Sequence, residues 1–151
     1  MIEKDKANEK VAAGWLRAWM AFEALAVNKE VVEASLKELV DRLETDERVK
    51  VYGRKQAETK EVLNPMEGIE KAYSQVCDVD LISKNLDNLI GIVTEYGPSA
   101  IELLEPTSFE MKSGEAQSIL NTISELLHRF ASAGMGGMVF VRGNKSGEGA
   151  E

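Results

Sequence analysis

The first quarter of the chain shows a helical spacing of apolar residues. Between residues 4 and 27, a repeat of 3.6 residues brings a set of apolar side chains within about 60° of one line. The set is Val11, Trp15, Ala18, Trp19, Phe22, Leu25 and Ala26. This spacing predicts an amphipathic helix that places both tryptophans on its core side. A second helix is predicted from Lys29 to Glu44, with Asn28 as its N-cap. The chain is therefore expected to begin with a helical pair over residues 4–44.

Beyond residue 47 the apolar spacing changes from 3.6 to 2, which is typical of strands. Val49 and Val51 alternate with polar residues and predict a strand that runs to about Val62, with an irregularity at Gly53. The rest of the pattern predicts, in chain order, a strand at 73–82, a helix that ends before Gly97, a strand at 100–105, a helix from Ser113 to about Ala133 and a final strand at 138–141.

These elements predict an α+β fold. The order helix–strand–strand–helix–strand matches a ferredoxin-like split β-α-β arrangement without its first strand, and the segment 138–141 is a candidate for the vacant place. We therefore expect two N-terminal helices followed by a ferredoxin-like, mainly antiparallel sheet with helices packed on it. In this prediction residues 1–142 form a single domain, with the helical pair over 4–44 and the sheet-containing part over 48–142. The glycine-rich segment 143–151 is expected to be a flexible tail.

Composition narrows the class of protein. With 44% apolar and 29% charged residues in 151, the chain resembles a soluble globular domain. Its 18 basic and 26 acidic side chains leave a net charge of −8, which argues against nucleic-acid binding. One cysteine cannot form an internal disulfide. The mixed charges at the N-terminus, together with Arg17 and Glu23 inside the apolar run 11–27, argue against a signal peptide and a membrane span. We predict a cytoplasmic protein without a membrane partner.

One segment carries a family resemblance. The stretch from Tyr96 to Pro106 reads YGPSAIELLEP and is followed by EAQSIL at residues 115–120. Together these segments resemble conserved small archaeal proteins of α+β type that have no assigned function. The resemblance implies a prokaryotic cytoplasmic origin. It covers about a quarter of the chain, and it implies no activity for any residue.

The residues most often used in catalysis are scarce. His128 is the only histidine and is predicted on the polar side of its helix, and Cys77 is the only cysteine and is predicted on the apolar face of its strand. Zinc sites and nucleophilic catalysis need several such groups in contact, because each ligand or nucleophile must be oriented by a partner. We expect a surface histidine and a buried thiol, and we predict no catalytic residue and no cofactor.

Carboxylates offer a second possibility. Asp78 and Asp80 are predicted on one strand face, and Glu102 lies on a strand that could approach them. Clustered oxygen ligands suit Mg²⁺ or Ca²⁺, so these three residues are a candidate metal site. The structural alternative is that Lys50 and Arg54 lie opposite the acidic face as cross-strand charge partners.

An apolar surplus on the first predicted helix indicates an interface. Leu16, Met20 and Val27 form a stripe opposite the tryptophan face, with no obvious cover in so small a domain. The alternative is that the C-terminal strand of the sheet or another helix of the same chain packs on it. Homodimers commonly bury such a stripe across a two-fold axis. We therefore predict a non-enzymatic module that self-associates, with a dimer favoured, and binds a partner or a small molecule. The alternative is a small metal-dependent enzyme or regulator that uses the acidic face.

Overall fold

A computed structural model describes residues 1–134. The described chain contains helices α1 (Lys4–Ala12), α2 (Lys29–Thr45), α3 (Leu86–Tyr96) and α4 (Ser113–Ser132), and strands β1 (Leu16–Ala26), β2 (Val49–Gln56), β3 (Lys60–Met66), β4 (Ile69–Ser83) and β5 (Ala100–Glu105). It divides into two compact units, one over residues 1–111 and one that begins at Lys112. The predicted strand at 138–141 and the predicted tail at 143–151 lie outside the described residues.

The predicted helix over residues 4–27 is wrong. Helix α1 ends at Ala12, the backbone turns at Gly14 with a φ of 101°, and β1 begins at Leu16. Apolar residues are so dense in this stretch that they satisfy repeats of both 3.6 and 2. Once the chain is extended, alternate side chains take opposite faces of a sheet. Only one helix therefore precedes the first strand.

The same correction removes the second apolar stripe. Leu16 and Met20 are 3% and 0% exposed, because they alternate along β1 on the face that forms the core. Val27 follows the strand and remains exposed. The helix face from which an interface was predicted therefore does not exist, and two of its three residues are inside the domain.

All strand pairs in the described sheet are antiparallel. The strand order is β2-β4-β1-β5, and β3 pairs with β4 beside this path. Strand β4 is long enough to pair with β2 along residues 77–83 and with β3 along residues 69–74. The predicted single strand from Val49 to Val62 is thus two strands, β2 and β3. The predicted α+β class with an antiparallel sheet is confirmed.

Helices α2 and α3 contribute to one hydrophobic core with the sheet. Each helix connects two strands that have a third strand between them: α2 connects β1 to β2, and α3 connects β4 to β5. The core combines alternate residues of three strands with the apolar sides of both helices: Leu16, Ala18, Met20, Phe22, Val49, Val51, Cys77, Val79, Leu81, Leu36, Val40, Leu43, Leu89 and Ile92. Burying each large aliphatic side chain contributes roughly 1.5–3 kcal/mol, so this layer is the main source of stability.

Helix α1 belongs to the opposite face of the sheet. Ala7 of α1 and Ile82 of β4 are fully buried, and Asn8 accepts a hydrogen bond from Arg17, which is in register with Ile82. The Ile2 amide also donates to the Val51 carbonyl oxygen at 2.9 Å, at the outer edge of β2. Within residues 1–134, no helix is long and apolar enough to cross a membrane.

Candidate interaction surfaces

The three predicted metal ligands lie on the sheet face opposite α2 and α3. Asp78 is in register with Ala21, whereas Asp80 and Glu102 are both in register with Trp19. Asp80 and Glu102 therefore flank the indole from two different strands, about 9–10 Å apart across β1. Over the described part of the chain, no group of three or more His, Cys, Asp or Glu residues could hold a metal ion. The metal site stays a prediction.

The cross-strand partners of this acidic face differ from those predicted. A register shift between Val51 and Gly53 turns Arg54 toward the helices, in register with Val79. Lys55 is the residue directly opposite Asp78. Gly53 stands opposite Asp80, and a Cβ atom at Gly53 would lie 2.6 Å from Oδ2 of that carboxylate. The prediction for Arg54 is therefore wrong, because one irregular residue reverses the faces of those that follow it.

Arg54 instead connects the sheet to α2. Its Nη1 atom donates to Asp41 Oδ1 at 2.6 Å and to Glu44 Oε1 at 3.2 Å. Cys77, on the neighbouring strand, is fully buried, and burial raises the pKa of its thiol despite the nearby guanidinium of Arg54. Cys77 lies on the apolar face, as predicted, and its raised pKa favours the neutral thiol.

Arg17 contacts three other elements of the fold on the sheet face opposite α2 and α3. Its Nη1 atom donates to Tyr52 Oη at 3.1 Å, and its Nη2 atom donates to Asn8 Oδ1 at 2.6 Å. Its Nε atom lies 2.7 Å from Glu105 Oε2, without the direction of a hydrogen bond, and the guanidinium carbon lies 5.1 Å from the centroid of the Tyr52 ring. One side chain thus links α1, β2 and the end of β5. In the sequence, Arg17 is recognisable only as a charge that argues against a membrane span.

A second polar cluster holds the connection between α2 and β2. Asp46 accepts hydrogen bonds from the backbone amide and the guanidinium of Arg48, and from the hydroxyl of Tyr96 at 3.0 Å. The same guanidinium lies 2.6 Å from Glu95 of α3. The hydrogen bond from Arg48 lowers the pKa of Asp46 to about 2, against the opposing effect of burial.

This lowered pKa makes stability depend on pH in a defined window. Asp46 contributes fully above its ordinary pKa of 3.8, and the contribution is lost as the pH falls toward about 2. Urea unfolding of the wild type and of Asp46→Asn should therefore differ by about 1–2 kcal/mol near neutral pH, allowing for solvent screening. The difference should shrink steadily below pH 3.8. A difference that does not change with pH would contradict this role.

Strand β5 forms an exposed edge. All six of its residues are exposed, and it pairs with β1 along one side only within the described sheet. Ile101 and Leu103 place apolar side chains there, but Glu102, Glu105 and Pro106 interrupt the edge. The register also shifts where Glu105 pairs with Arg17. Charges, proline and bulges are the usual means by which proteins prevent edge-to-edge pairing, so β5 is a protected edge.

Helix α4 presents a larger apolar surface. It begins at Ser113 as predicted, and its apolar stripe consists of Ala116, Ile119, Leu120, Ile123, Leu126, Leu127 and Phe130. None of the residues of α4 is buried, and Leu120, Ile123 and Leu127 are 61%, 41% and 41% exposed. His128 is exposed on the polar side, where it was predicted. Helical spacing identifies the stripe from the sequence, but spacing alone does not show whether the stripe is covered.

The chain matches a protein family but no curated protein. Curated proteins include no significant match to this chain. A family model matches residues 17–145, which span nearly all of β1 and every later described element. This match fits the predicted resemblance to a conserved group of α+β proteins and carries no assigned activity. Because the match covers most of its length, the chain belongs to the MJ0538 family.

Proposed function

We propose that the protein is a non-enzymatic module that self-associates as a homodimer through α4. The observation that carries this proposal is the apolar stripe of α4, in which no residue is buried by the described residues 1–134. An amphipathic helix gains most of its stability in proteins by packing its apolar side. Contiguous exposed apolar surface is therefore typical of an association site.

The contrast with strand β5 favours this choice of site. Strand β5 carries protective charges and a following proline, whereas the stripe on α4 contains no charged residue. Charge depletion at the centre with polar residues around it is typical of interface cores. The proposed interface is therefore on α4 and not on the N-terminal segment that the sequence indicated.

We also propose a more specific fold class and a cellular location for the protein. We infer that the sheet is of the ferredoxin-like class, supported by the order β2-β4-β1-β5 and by two helices that each connect strands across a third. Strand β3, which pairs with the N-terminal part of β4, is then an addition to that arrangement. A cytoplasmic location and an archaeal source are supported by the resemblance of the YGPSAIELLEP segment and by the absence of disulfide-forming cysteine pairs in the sequence.

The alternative function is a metal-dependent enzyme or regulator. It is supported by the shared sheet face of Asp78, Asp80 and Glu102, which has the aromatic ring of Trp19 at its centre. Calorimetric titration with Mg²⁺ or Mn²⁺ discriminates the two functions. Binding that disappears in Asp80→Asn, with the unfolding free energy unchanged, would favour the alternative over the interaction module.

Charge substitutions on the stripe test the self-association directly. Leu120→Lys and Ile123→Lys each place an ammonium group in the proposed interface, where it cannot be hydrated without separating the helices. Sedimentation velocity at micromolar concentration should show a dimer for the wild type and a monomer for both variants. Circular dichroism should show that the sheet-containing unit of each variant is still folded.

A matched control is available on β3. Leu63 is 70% exposed and lies on a strand of the other compact unit, so Leu63→Lys makes the same chemical change at a residue outside α4. This variant should remain dimeric. A monomeric wild type, or α4 variants that dimerise as well as Leu63→Lys, would overturn the proposal.

A further inference from the structure

We infer that two copies of α4 pair antiparallel, about a two-fold axis that passes beside Ile123. This inference rests on the proposed self-association and adds the orientation and register of the partner. The stripe is symmetric in sequence about Ile123: three apolar residues precede it and three follow it at the same distances, namely Ala116, Ile119 and Leu120, then Leu126, Leu127 and Phe130. Reversing the direction of α4 thus reproduces the same stripe, which is what an isologous pair requires.

Side-chain size favours the antiparallel orientation. Centred on Ile123, an antiparallel pair places Ala116 opposite the partner's Phe130, at both ends of the interface. A small residue then accommodates a large one, as close packing requires. In a parallel pair, Phe130 would face the partner's Phe130 while Ala116 faced the partner's Ala116. That arrangement crowds one end of the pair and leaves a gap at the other.

Charge points to the same orientation. Glu115 lies in the first turn of α4 and Arg129 in the last, and on a helical wheel they flank the stripe on the same side, about 80° and 120° from its centre. An antiparallel pair brings Glu115 to within about two residues, or roughly 3 Å along the axis, of the partner's Arg129. A parallel pair holds these two charges at opposite ends. The antiparallel arrangement also places helix N-termini beside C-termini, which favours it electrostatically.

Cysteine cross-linking tests the register. Ile123→Cys should cross-link to itself with a short bifunctional thiol reagent, whereas Ala116→Cys alone and Phe130→Cys alone should not, because their thiols would lie about 20 Å apart. A mixture of Ala116→Cys and Phe130→Cys chains should cross-link. The wild type, whose Cys77 is buried, provides the background without product.

Each outcome separates the register from the proposed function. Self-cross-linking of Ala116→Cys, without a product in the mixture that joins an Ala116→Cys chain to a Phe130→Cys chain, would show a parallel pair, which overturns the register and keeps the dimer. No cross-link at any position in a protein that sediments as a dimer would remove α4 from the interface. A monomeric wild type would overturn the proposed function and the register with it.

A charge exchange provides a measurement that does not depend on cysteine. Glu115→Arg should weaken dimerisation roughly tenfold, since it puts like charges beside each other in both copies of the contact. The double variant with Glu115→Arg and Arg129→Glu should restore the wild-type dissociation constant. If the double variant is no tighter than Glu115→Arg alone, the two residues do not meet across the axis.

Discussion

Replacing Met20 by alanine is expected to lower the free energy of unfolding by about 2–5 kcal/mol. Met20 is fully buried in β1, between the paired strands β4 and β5 and within the core that includes α2 and α3. Truncation removes its apolar contacts and leaves a cavity that a sheet paired on both sides of β1 cannot easily close. Urea unfolding at a fixed protein concentration measures the loss, because association also contributes to apparent stability.

Val27→Ala is the matched control for this prediction. Were residues 4–27 a single helix, Val27 and Met20 would share one stripe and respond alike. In the structure Val27 follows the strand and is 63% exposed, so its truncation should change the unfolding free energy by less than about 0.5 kcal/mol. Equal and small losses at both positions would contradict a buried strand at residues 16–26.

Replacing Arg17 by alanine is expected to lower the free energy of unfolding by about 1–3 kcal/mol. The side chain is only 11% exposed. Its removal breaks the hydrogen bonds that Arg17 donates to Tyr52 and Asn8, and it leaves Glu105 without its positively charged partner. Glu105 is 54% exposed and regains water, which keeps the loss below that of a fully buried ion pair. Since Arg17 links α1 to the sheet, hydrogen exchange in α1 should increase more than exchange in α2.

The Lys71→Ala variant isolates the effect of burial. Lys71 has contacts of the same two kinds, an ion pair to Glu61 at 2.7 Å and a ring contact to Tyr73, but the ion pair is exposed on the β3–β4 hairpin. Exposed pairs contribute little because water competes for both charges. This variant should lose clearly less unfolding free energy than Arg17→Ala. Comparable losses for Arg17→Ala and Lys71→Ala would show that Arg17 is not the structural link proposed for it.

Much of the fold follows from local signals in the sequence. Helix α2 begins where Asn28 was predicted to cap it, and the Asn28 side chain accepts a hydrogen bond from the Val31 amide. Gly97 ends α3 in the left-handed conformation, as its position after the apolar stripe indicated. The alternation around Cys77 and Val79 identified β4, because one side of that strand is buried throughout its C-terminal half.

The errors occurred where more than one local pattern was satisfied. In β1 the apolar residues fit both a helix and a strand, and the choice depends on β4 and β5, which pair on either side of it. The irregularity predicted at Gly53 is confirmed as a register shift, but the spacing did not show that the shift places Arg54 on the other face of the sheet. Asp78 and Asp80 were predicted on the correct strand, but the register shift in β2 determines which β2 residues lie opposite them. Tertiary pairing decided each of these points.

The stripe on α4 shows the corresponding limit for function. Its residues could be identified from a repeat of 3.6, and the helix starts at the predicted residue Ser113. The spacing is the same whether the stripe faces a core or a partner, so exposure had to come from the structure. By contrast, the predicted interface at Leu16 and Met20 was inferred from an apparent surplus that disappears once the segment is a strand.

The mass of the wild-type protein under native conditions tests self-association most directly. Native mass spectrometry of the gently purified full chain at micromolar concentration should give a species of twice the 16.6 kDa chain mass, which dissociates on denaturation. The same spectrum would reveal added mass from a bound metal or metabolite, as the alternative function requires. A single-chain mass across the concentration range would contradict dimerisation through α4.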